Sequence, residues 1–408
     1  MRIGVIGTGQ FSRSFVHLWQ RHPLVTAVYA TDLDPARVAA YDAQYELAGR
    51  FDSADDLIAS PDIDAVAVMT QRWTHAPLVL KALNAGKHVY SAVPMAISVE
   101  EVTEIIRTVE RTGLIYMMGE TSYYNPAVVW AREKIAAGEL GRVFYAEGDY
   151  VHDMDNGFYN AYRYSGGENW QQTASYPPML YPTHAVGGVL GALPTYATSV
   201  SCIGIPDDRG DGVFDADVSL WGNTFSNMTA LFELADGGTM RTNEFRRVGY
   251  WKGHESRFRF FGTEAVMEQS GEGATYYTKS EGADYAKGTR TDISDLFYSN
   301  AKELPEGFAD IDPALMQSFV SGLAKVHRTD RLPREFEGQP NGHNGSHHYL
   351  ADDFVRAVTT NTHPPVNAWR AARFNLPGII AMDSARQNAV RLPVPDFGDG
   401  PADPGWDA

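Results

Sequence analysis

Cysteine is almost missing from this sequence: Cys202 stands alone among 408 residues. That excludes an intrachain disulfide and any metal site built on several cysteines. Basic residues are scarce beside acidic ones, 34 Lys and Arg against 51 Asp and Glu, for a formal charge of −17. A chain this acidic is a poor general ligand for phosphate backbones and anionic lipid, so neither nucleic acid nor a membrane is expected as a partner. The same balance favours a neutral or cationic small substrate over an acidic one. Also lacking is any charge-free, mainly apolar run of about 18 residues, so no membrane span is expected. The opening MRIGVIG carries neither a basic n-region nor a longer apolar h-region. No signal peptide is expected, and a cytoplasmic location is. With 44% hydrophobic and 21% charged residues the composition is that of a globular protein, not of a disordered or coiled-coil chain. At roughly 100–200 residues per domain, the length fits two or three domains.

What is present first is alternation. Arg2–Ile6, Val25–Ala30, Asp64–Met69, Lys87–Tyr90 and Leu114–Met118 read as apolar strands. Helical patterns separate them. One places Phe11, Phe15 and Leu18 on one face; another opens with Asp34 as N-cap and Pro35 at the first position; a third covers Ser98–Thr112, where Ser98 and Glu101 make a capping box. Strands alternating with helices indicate a parallel, doubly wound sheet. After about Thr121 the pattern changes. Strand signals recur at Arg142–Val151, Tyr196–Ile203, Thr229–Leu234, Thr239–Phe245 and Phe258–Gly262, as for an antiparallel sheet in a second α/β domain. The Tyr- and Gly-rich stretch 154–181 reads as loop, and 268–345 resists assignment. Helices return at Tyr349–Thr359 and Ala368–Ala389. The expected organisation is a Rossmann domain over 1–122, a substrate-binding and oligomerisation domain over 123–392, and an extended acidic tail over 393–408.

Between the first strand and its helix stands Gly7-x-Gly9-x-x-Ser12. The first glycine permits a tight turn, and the second lets the backbone approach a pyrophosphate held on the helix N-terminus. Ser12 is a small substitute for the usual third Gly or Ala. Asp32 ends the second strand, where it can accept ribose hydroxyls and would repel a 2′-phosphate. The cofactor expected is therefore NAD rather than NADP. A glycine turn that binds nothing is the alternative.

With that site placed, Asp64–His75 (DAVAVMTQRWTH), Gly86-Lys87-His88-Val89, Pro94-Met95, Gly138–Val143 (GELGRV) and Phe260–Glu264 (FFGTE) resemble the glucose-fructose oxidoreductase/inositol dehydrogenase family, Gfo/Idh/MocA. The resemblance covers most of residues 1–150. It implies a Rossmann domain followed by a mostly antiparallel α/β domain whose open sheet often forms an oligomer interface, here a dimer or tetramer. It also implies NAD chemistry on a sugar or cyclitol. The cofactor contacts it implies are Gly7, Gly9, Gln10, Phe11, Asp32, Thr70, His75, Ala92, Val93, Pro94 and Glu120.

Two departures redirect the reading. The family's Glu-Lys-Pro is Ala92-Val93-Pro94 here, and Val93 cannot move a proton. The dehydrogenases' Asp-x-Gly-x-His is Leu180-Tyr181-Pro182-Thr183-His184, which keeps only the histidine. Val93-Pro94, Tyr181–His184, Glu147–Asp153 (EGDYVHD) and Gly342–Gly345 (GHNG) are instead similar to the branch of NAD-dependent glycoside hydrolases, family 109. That resemblance implies a redox loop. The sugar is oxidised at C3, the acidified C2 proton is removed, the aglycone is eliminated, water adds, and the hydride returns. On this reading His184 serves the C3 oxygen, Tyr181 supports it, and Tyr150 is the C2 base. Substrate contacts fall to His152, Asp153, Trp170, His343 and His347, and no metal is expected.

Plainer roles stand beside each. His184 could be a hydrogen-bonded histidine at a helix start, and Tyr181, Tyr150 and Trp170 could be core. His152 and Asp153 could cap a loop. The i, i+4 pair His343/His347 could bind a metal if helical, but Asn344-Gly345 argues for a loop. Two functional alternatives remain open: a plain NAD-dependent sugar or inositol dehydrogenase, and a catalytically silent NAD-binding sensor.

Overall fold

The computed structural model describes residues 1–250, 254–280, 288–298 and 322–401. β1 (Arg2–Ile6), β2 (Ala27–Thr31), β3 (Gly49–Arg50), β4 (Ala65–Val68), β5 (His88–Ser91) and β6 (Tyr116–Met118) form a parallel sheet in the order β3-β2-β1-β4-β5-β6. All four residues of β4 are buried, as a sheet covered on both faces requires. The local signals act as expected. The Asp34 carboxylate accepts from the N–H of Ala36, with Pro35 opening the helix. Ser98 caps Val99–Thr112, while the Glu101 carboxylate reaches back to the N–H of Ile97 at 2.9 Å. The strand order reverses between β1 and β4, so a crevice opens beyond their carboxyl ends.

β7 (Val143–His152), β8 (Ala197–Pro206), β9 (Phe225–Leu234), β10 (Thr239–Phe245), β11 (His254–Gly262), β12 (Ala265–Ser270), β13 (Gly273–Thr278), β14 (Thr289–Asp292) and β15 (Leu392–Pro393) build a second sheet. Its order is β14-β13-β12-β11-β7-β10-β9-β8-β15, antiparallel throughout except for the parallel pair β7 and β10. The helix Thr183–Ala192, buried along its whole length, lies on the inner face. A Cβ on Gly188 would stand 2.0 Å from the Phe258 ring, so glycine there permits the close approach that sets the depth of His184 one turn earlier.

The two halves share one hydrophobic core. The helices Ser346–Thr360 and Ala368–Arg386 return from the second half to the Rossmann half. Phe354 meets Tyr90 at 5.6 Å, His347 meets Phe15 at 4.8 Å, and the Asn375 amide donates to the Ala96 carbonyl at 3.0 Å. Among the described residues, no helix is long and apolar enough to cross a membrane.

One segment differs from expectation. The stretch read as loop contains the helices Tyr159–Gly166 and Trp170–Ala174. They pack Met154, Tyr159, Tyr162 and Ala174 with Val213 and Phe214 into a satellite core. Aromatic rings supply that core where aliphatic periodicity was lacking. The acidic tail, where described, is docked on the second half: Arg373 pairs with Asp396 and Asp399, each at 2.7 Å, and Val394 donates to the Thr198 carbonyl. Residues 402–408 of that tail, and 281–287 and 299–321 of the unassigned stretch, lie outside the described residues.

Candidate active site

The nucleotide loop follows β1. Gly7 has φ +96°, and a Cβ there would meet the Met69 carbonyl oxygen at 2.6 Å, so the β1 and β4 loops touch only because this residue is glycine. Gly9 is the N-cap of the helix Gln10–Arg21. No side chain caps that helix and no acid stands in its first turn, and a Cβ on Gly9 would meet nothing within 4 Å. The helix start thus has no side-chain cap of its own and room beside Gly9, a combination that suits an anion there. Asp32 stands at the end of β2, its Oδ2 accepting the backbone N–H of Thr8 at 2.7 Å and the Thr8 hydroxyl at 2.9 Å. These residues fit a dinucleotide.

The remaining residues expected at the cofactor divide by position. Phe11 packs edge-on to His343 and His347, at 5.9 and 5.8 Å. Gln10 follows Gly9 as the first residue of the same helix. His75 is buried between the Thr70 and Pro94 carbonyls, 3.1 Å from one and 2.7 Å from the other, so it ties the β4 loop to Ala92-Val93-Pro94. Burial pushes its pKa down. Glu120 lies just beyond β6, fully buried, and its Oε1 sits 2.8 Å from His184 Nδ1. Although burial opposes ionisation, the His184 charge and hydrogen bond and the N–H of Ser122 hold the Glu120 carboxyl below the usual range.

A line of groups runs outward from Glu120. Its carboxylate takes the Nδ1 side of His184, which leaves Nε2 facing the Tyr181 hydroxyl at 3.1 Å. Tyr181 and Tyr150 then line a small, partly open pocket together with Arg72, His152, Met154, Phe158, Tyr162, Ala174, Tyr176 and Arg246. Burial pushes the Tyr181 phenol up to about 12 and the Tyr150 phenol well above its ordinary value. Both are therefore neutral hydroxyls near neutral pH. Tyr150 lies 2.9 Å from His152 Nδ1, a base within reach of its proton.

The structure thus brings His184, Tyr181, Tyr150, His152 and Glu120 together. His343 stacks 6.3 Å from His184 and lies 2.7 Å from His347, Nδ1 to Nε2. It sits on a turn, His343 (φ 45°) and Asn344 (φ 57°) both left-handed, before the helix that carries His347. Those two histidines border the nucleotide loop rather than the pocket. Among the described residues, no group of three or more His, Cys, Asp or Glu is placed to hold a metal. Trp170 packs against Tyr159 and Arg163 behind the pocket lining, and Asp153 accepts from the N–H of Asp155 in a turn.

Sequence reasoning missed Arg72, Arg246, Tyr162, Tyr176 and Glu244. Arg72 falls inside the quoted β4 motif, in the loop at the carboxyl end of that strand, a position that could have flagged it. Glu244 interrupts the alternation of β10 with a charge: Met240 and Thr242 face inward, and so does Glu244, fully buried and in register with Tyr150. Its Oε2 accepts from Arg246 Nη2 at 2.8 Å, while Oε1 has no hydrogen-bond partner. Burial, with the Glu120 and Asp149 charges behind it, pushes this carboxyl up to about 8 against the pull of Arg246.

A pH test follows from that shift. The folded state keeps the Glu244 proton up to about pH 8, whereas the unfolded chain releases it near 4.5. The stabilisation is full below the lower value and is lost as pH rises through the upper one. In urea titrations from pH 5 to 8, the native protein should lose stability relative to Glu244→Gln, by up to about 1.4 kcal/mol per pH unit. Parallel pH profiles for the two proteins would remove Glu244 as the titrating group.

Known proteins place this architecture. Residues 1–120 match the profile of the oxidoreductase family with an NAD-binding Rossmann fold, GFO_IDH_MocA. A Glycosyl hydrolase family 109 protein 2 of Shewanella sp. (strain ANA-3) is 30% identical over 217 residues, 49% of this chain and 48% of the relative. The chain thus spans about half the length of that relative. A Glycosyl hydrolase family 109 protein of Saccharopolyspora erythraea is 22% identical over 97% of this chain and 83% of its own length. Among solved structures, a levoglucosan dehydrogenase in complex with NADH and levoglucosan superposes with a TM-score of 0.71 at 16% identity, covering 97% of this chain and 100% of that one. It shares the fold.

Proposed function

We propose that this chain, whose residues 1–120 match the profile of the oxidoreductase family GFO_IDH_MocA, is an NAD-dependent enzyme that oxidises a sugar or glycoside at a ring carbon, C3, and in doing so cleaves a glycosidic bond with no net consumption of NAD. The observation that carries the reading is the line Glu120–His184–Tyr181, which starts at the carboxyl end of the Rossmann sheet and ends in the pocket. Gly7, Gly9, the N-terminus of the helix Gln10–Arg21 and Asp32 would hold the dinucleotide. Bound NAD supplies a reversible hydride acceptor.

The chain's own residues manage protons. Tyr181 takes the C3 hydroxyl proton as it passes its own to His184 Nε2, and Glu120 fixes the ring and favours its cation. The proton that the family's lysine helps to remove elsewhere would therefore pass through Tyr181 to a histidine that a buried carboxylate holds in place. Tyr150 with His152 forms a second couple: the phenol is too weak an acid to act as a free base, but its hydroxyl can pass a proton to His152 Nδ1. Two couples on one pocket suit a reaction with two proton removals, at O3 and at C2. That favours glycoside cleavage over simple dehydrogenation.

The test uses aryl glycosides and follows aglycone and NADH absorbance together. Release of aglycone without net NADH, with C2–H exchange in deuterated water, is the expected result. Stoichiometric NADH without release or exchange would make the protein a dehydrogenase. Bound NAD with neither signal across a broad panel would make it a sensor. A homo-oligomer is part of the proposal. The outer face of the second sheet leaves Phe144, Leu231, Ile203 and Ile205 exposed, a surface for a second copy that sedimentation can check.

A further inference from the structure

The pocket has a charge opposite to that of the chain. Among its described lining residues there is no carboxylate, although the sequence holds 51 acidic residues. Two guanidinium groups line it instead. Arg72 enters from the β4 loop, its Nη1 donating to the Tyr162 hydroxyl at 2.9 Å and its Cζ 4.5 Å from the centre of the Tyr181 ring. Its Nε is buried without a hydrogen-bond partner. Arg246 enters from the residue after β10, 7% exposed, with Cζ 4.8 Å from the Tyr150 ring centre. The Tyr150 and Tyr181 rings lie 6.1 Å apart, so the two cations flank one short span of pocket wall. His152 and the Tyr162 hydroxyl add polar groups to the same wall.

Neither cation is fully compensated. Arg72 is surrounded by the rings of Tyr162, Tyr176 and Tyr181, which stabilise a cation through their faces without neutralising it. Arg246 donates to the Glu244 carboxyl at 2.8 Å and to the Phe245 carbonyl at 3.3 Å, but burial pushes that carboxyl's pKa up and so weakens it as a counter-charge. Burying two cations is costly unless an anion joins them. A hydroxyl-only sugar would leave that cost unrelieved. A guanidinium's planar fork, by contrast, matches a carboxylate or an ester-linked oxyanion.

We infer that the pocket is built for a sugar carrying an anionic group, a uronate carboxylate or a sulfate ester, gripped between Arg72 and Arg246 while the ring hydroxyls are left to Tyr181, backed by His184. The inference rests on the sugar-enzyme reading above and sharpens its substrate class. It reverses what net charge alone suggests.

Binding rather than turnover tests it, so that a failed mechanism and a failed subsite give different results. The full-length protein saturated with NAD is titrated calorimetrically with D-glucose, D-glucuronate and D-glucose 6-sulfate. At least one anionic sugar should bind ten- to a hundredfold more tightly than glucose, and which one does so identifies the anion. The preference should shrink with added salt. Arg246→Gln and Arg72→Gln should each bring the anionic sugar close to glucose, with thermal unfolding confirming that each variant is folded. If a Gln variant does not fold, the Lys variant keeps the charge without the fork and should retain part of the preference. Glucose bound as tightly as both anionic sugars, or an anion preference untouched by either substitution, would overturn the inference. So would no binding of any of the three. Preferred binding of an anionic sugar with no aglycone or NADH from its aryl glycoside would leave the subsite standing and defeat the catalytic reading.

Discussion

His184→Ala is expected to lower kcat about a thousandfold while leaving NADH affinity within about twofold, the range for removing a general base that does not touch the cofactor. The same change leaves Glu120 as an unpaired charge in a site with no solvent exposure. Breaking such a buried pair from one side costs about 3–5 kcal/mol. Activity and stability therefore fall together in the single variant and must be separated. His184→Gln with Glu120→Gln removes both the base and the stranded charge. It should recover most of the stability, read by urea titration, and none of the turnover. Tyr181→Phe should cost less than His184→Ala, since water can replace a hydroxyl in a relay more readily than it replaces the base. A His184→Ala enzyme with normal kcat would end the assignment, and a double variant that regained turnover would reduce the histidine to packing.

Gly9→Val tests the other half of the site with the second-largest effect. Gly9 has φ −69° and ψ −178°, extended backbone that valine adopts readily, and a Cβ there would meet nothing within 4 Å. Unfolding free energy should fall by no more than about 1 kcal/mol, the order of cost of valine at an N-cap. NADH affinity, read by fluorescence titration, should nevertheless fall at least about a hundredfold, because the side chain would fill the space in which a pyrophosphate approaches the loop. Gly7→Val is the contrasting control. Its φ of +96° and its contact with the Met69 carbonyl make the same residue destabilising there, so stability and binding should fall together. Unchanged NADH binding in Gly9→Val would mean that this loop does not hold the dinucleotide.

The Rossmann half was legible because its determinants are local. Apolar runs such as β4, the caps at Asp34 and Ser98, and the turn at Gly7 each act within a few residues, and Asp32 is placed by the length of one strand–helix–strand unit. In the second half the signals were weaker for a physical reason. The satellite core around Tyr159 and Tyr162 is closed by Val213 and Phe214 from far along the chain, and aromatic rings fill it without a regular period. His184 and Tyr181 could be singled out from a motif. Glu120 was legible as a residue of the Rossmann edge, but its pairing with His184 required the helix Thr183–Ala192 to be set down on that edge.

The scarcity of basic residues shows the division most clearly. The sequence alone determines that the chain is acidic, nearly free of cysteine, and able to form a dinucleotide-binding sheet, since these follow from composition and short-range pattern. It does not determine the sign of charge that a ligand meets. Net charge is a sum over a surface largely exposed to water and screened by salt, whereas a pocket's potential depends on the few side chains that converge on it. Arg72 leaves a parallel strand of the first sheet and Arg246 follows a strand of the second. Only the packing of one half against the other puts both guanidinium groups on one wall and turns a −17 chain into a cationic pocket.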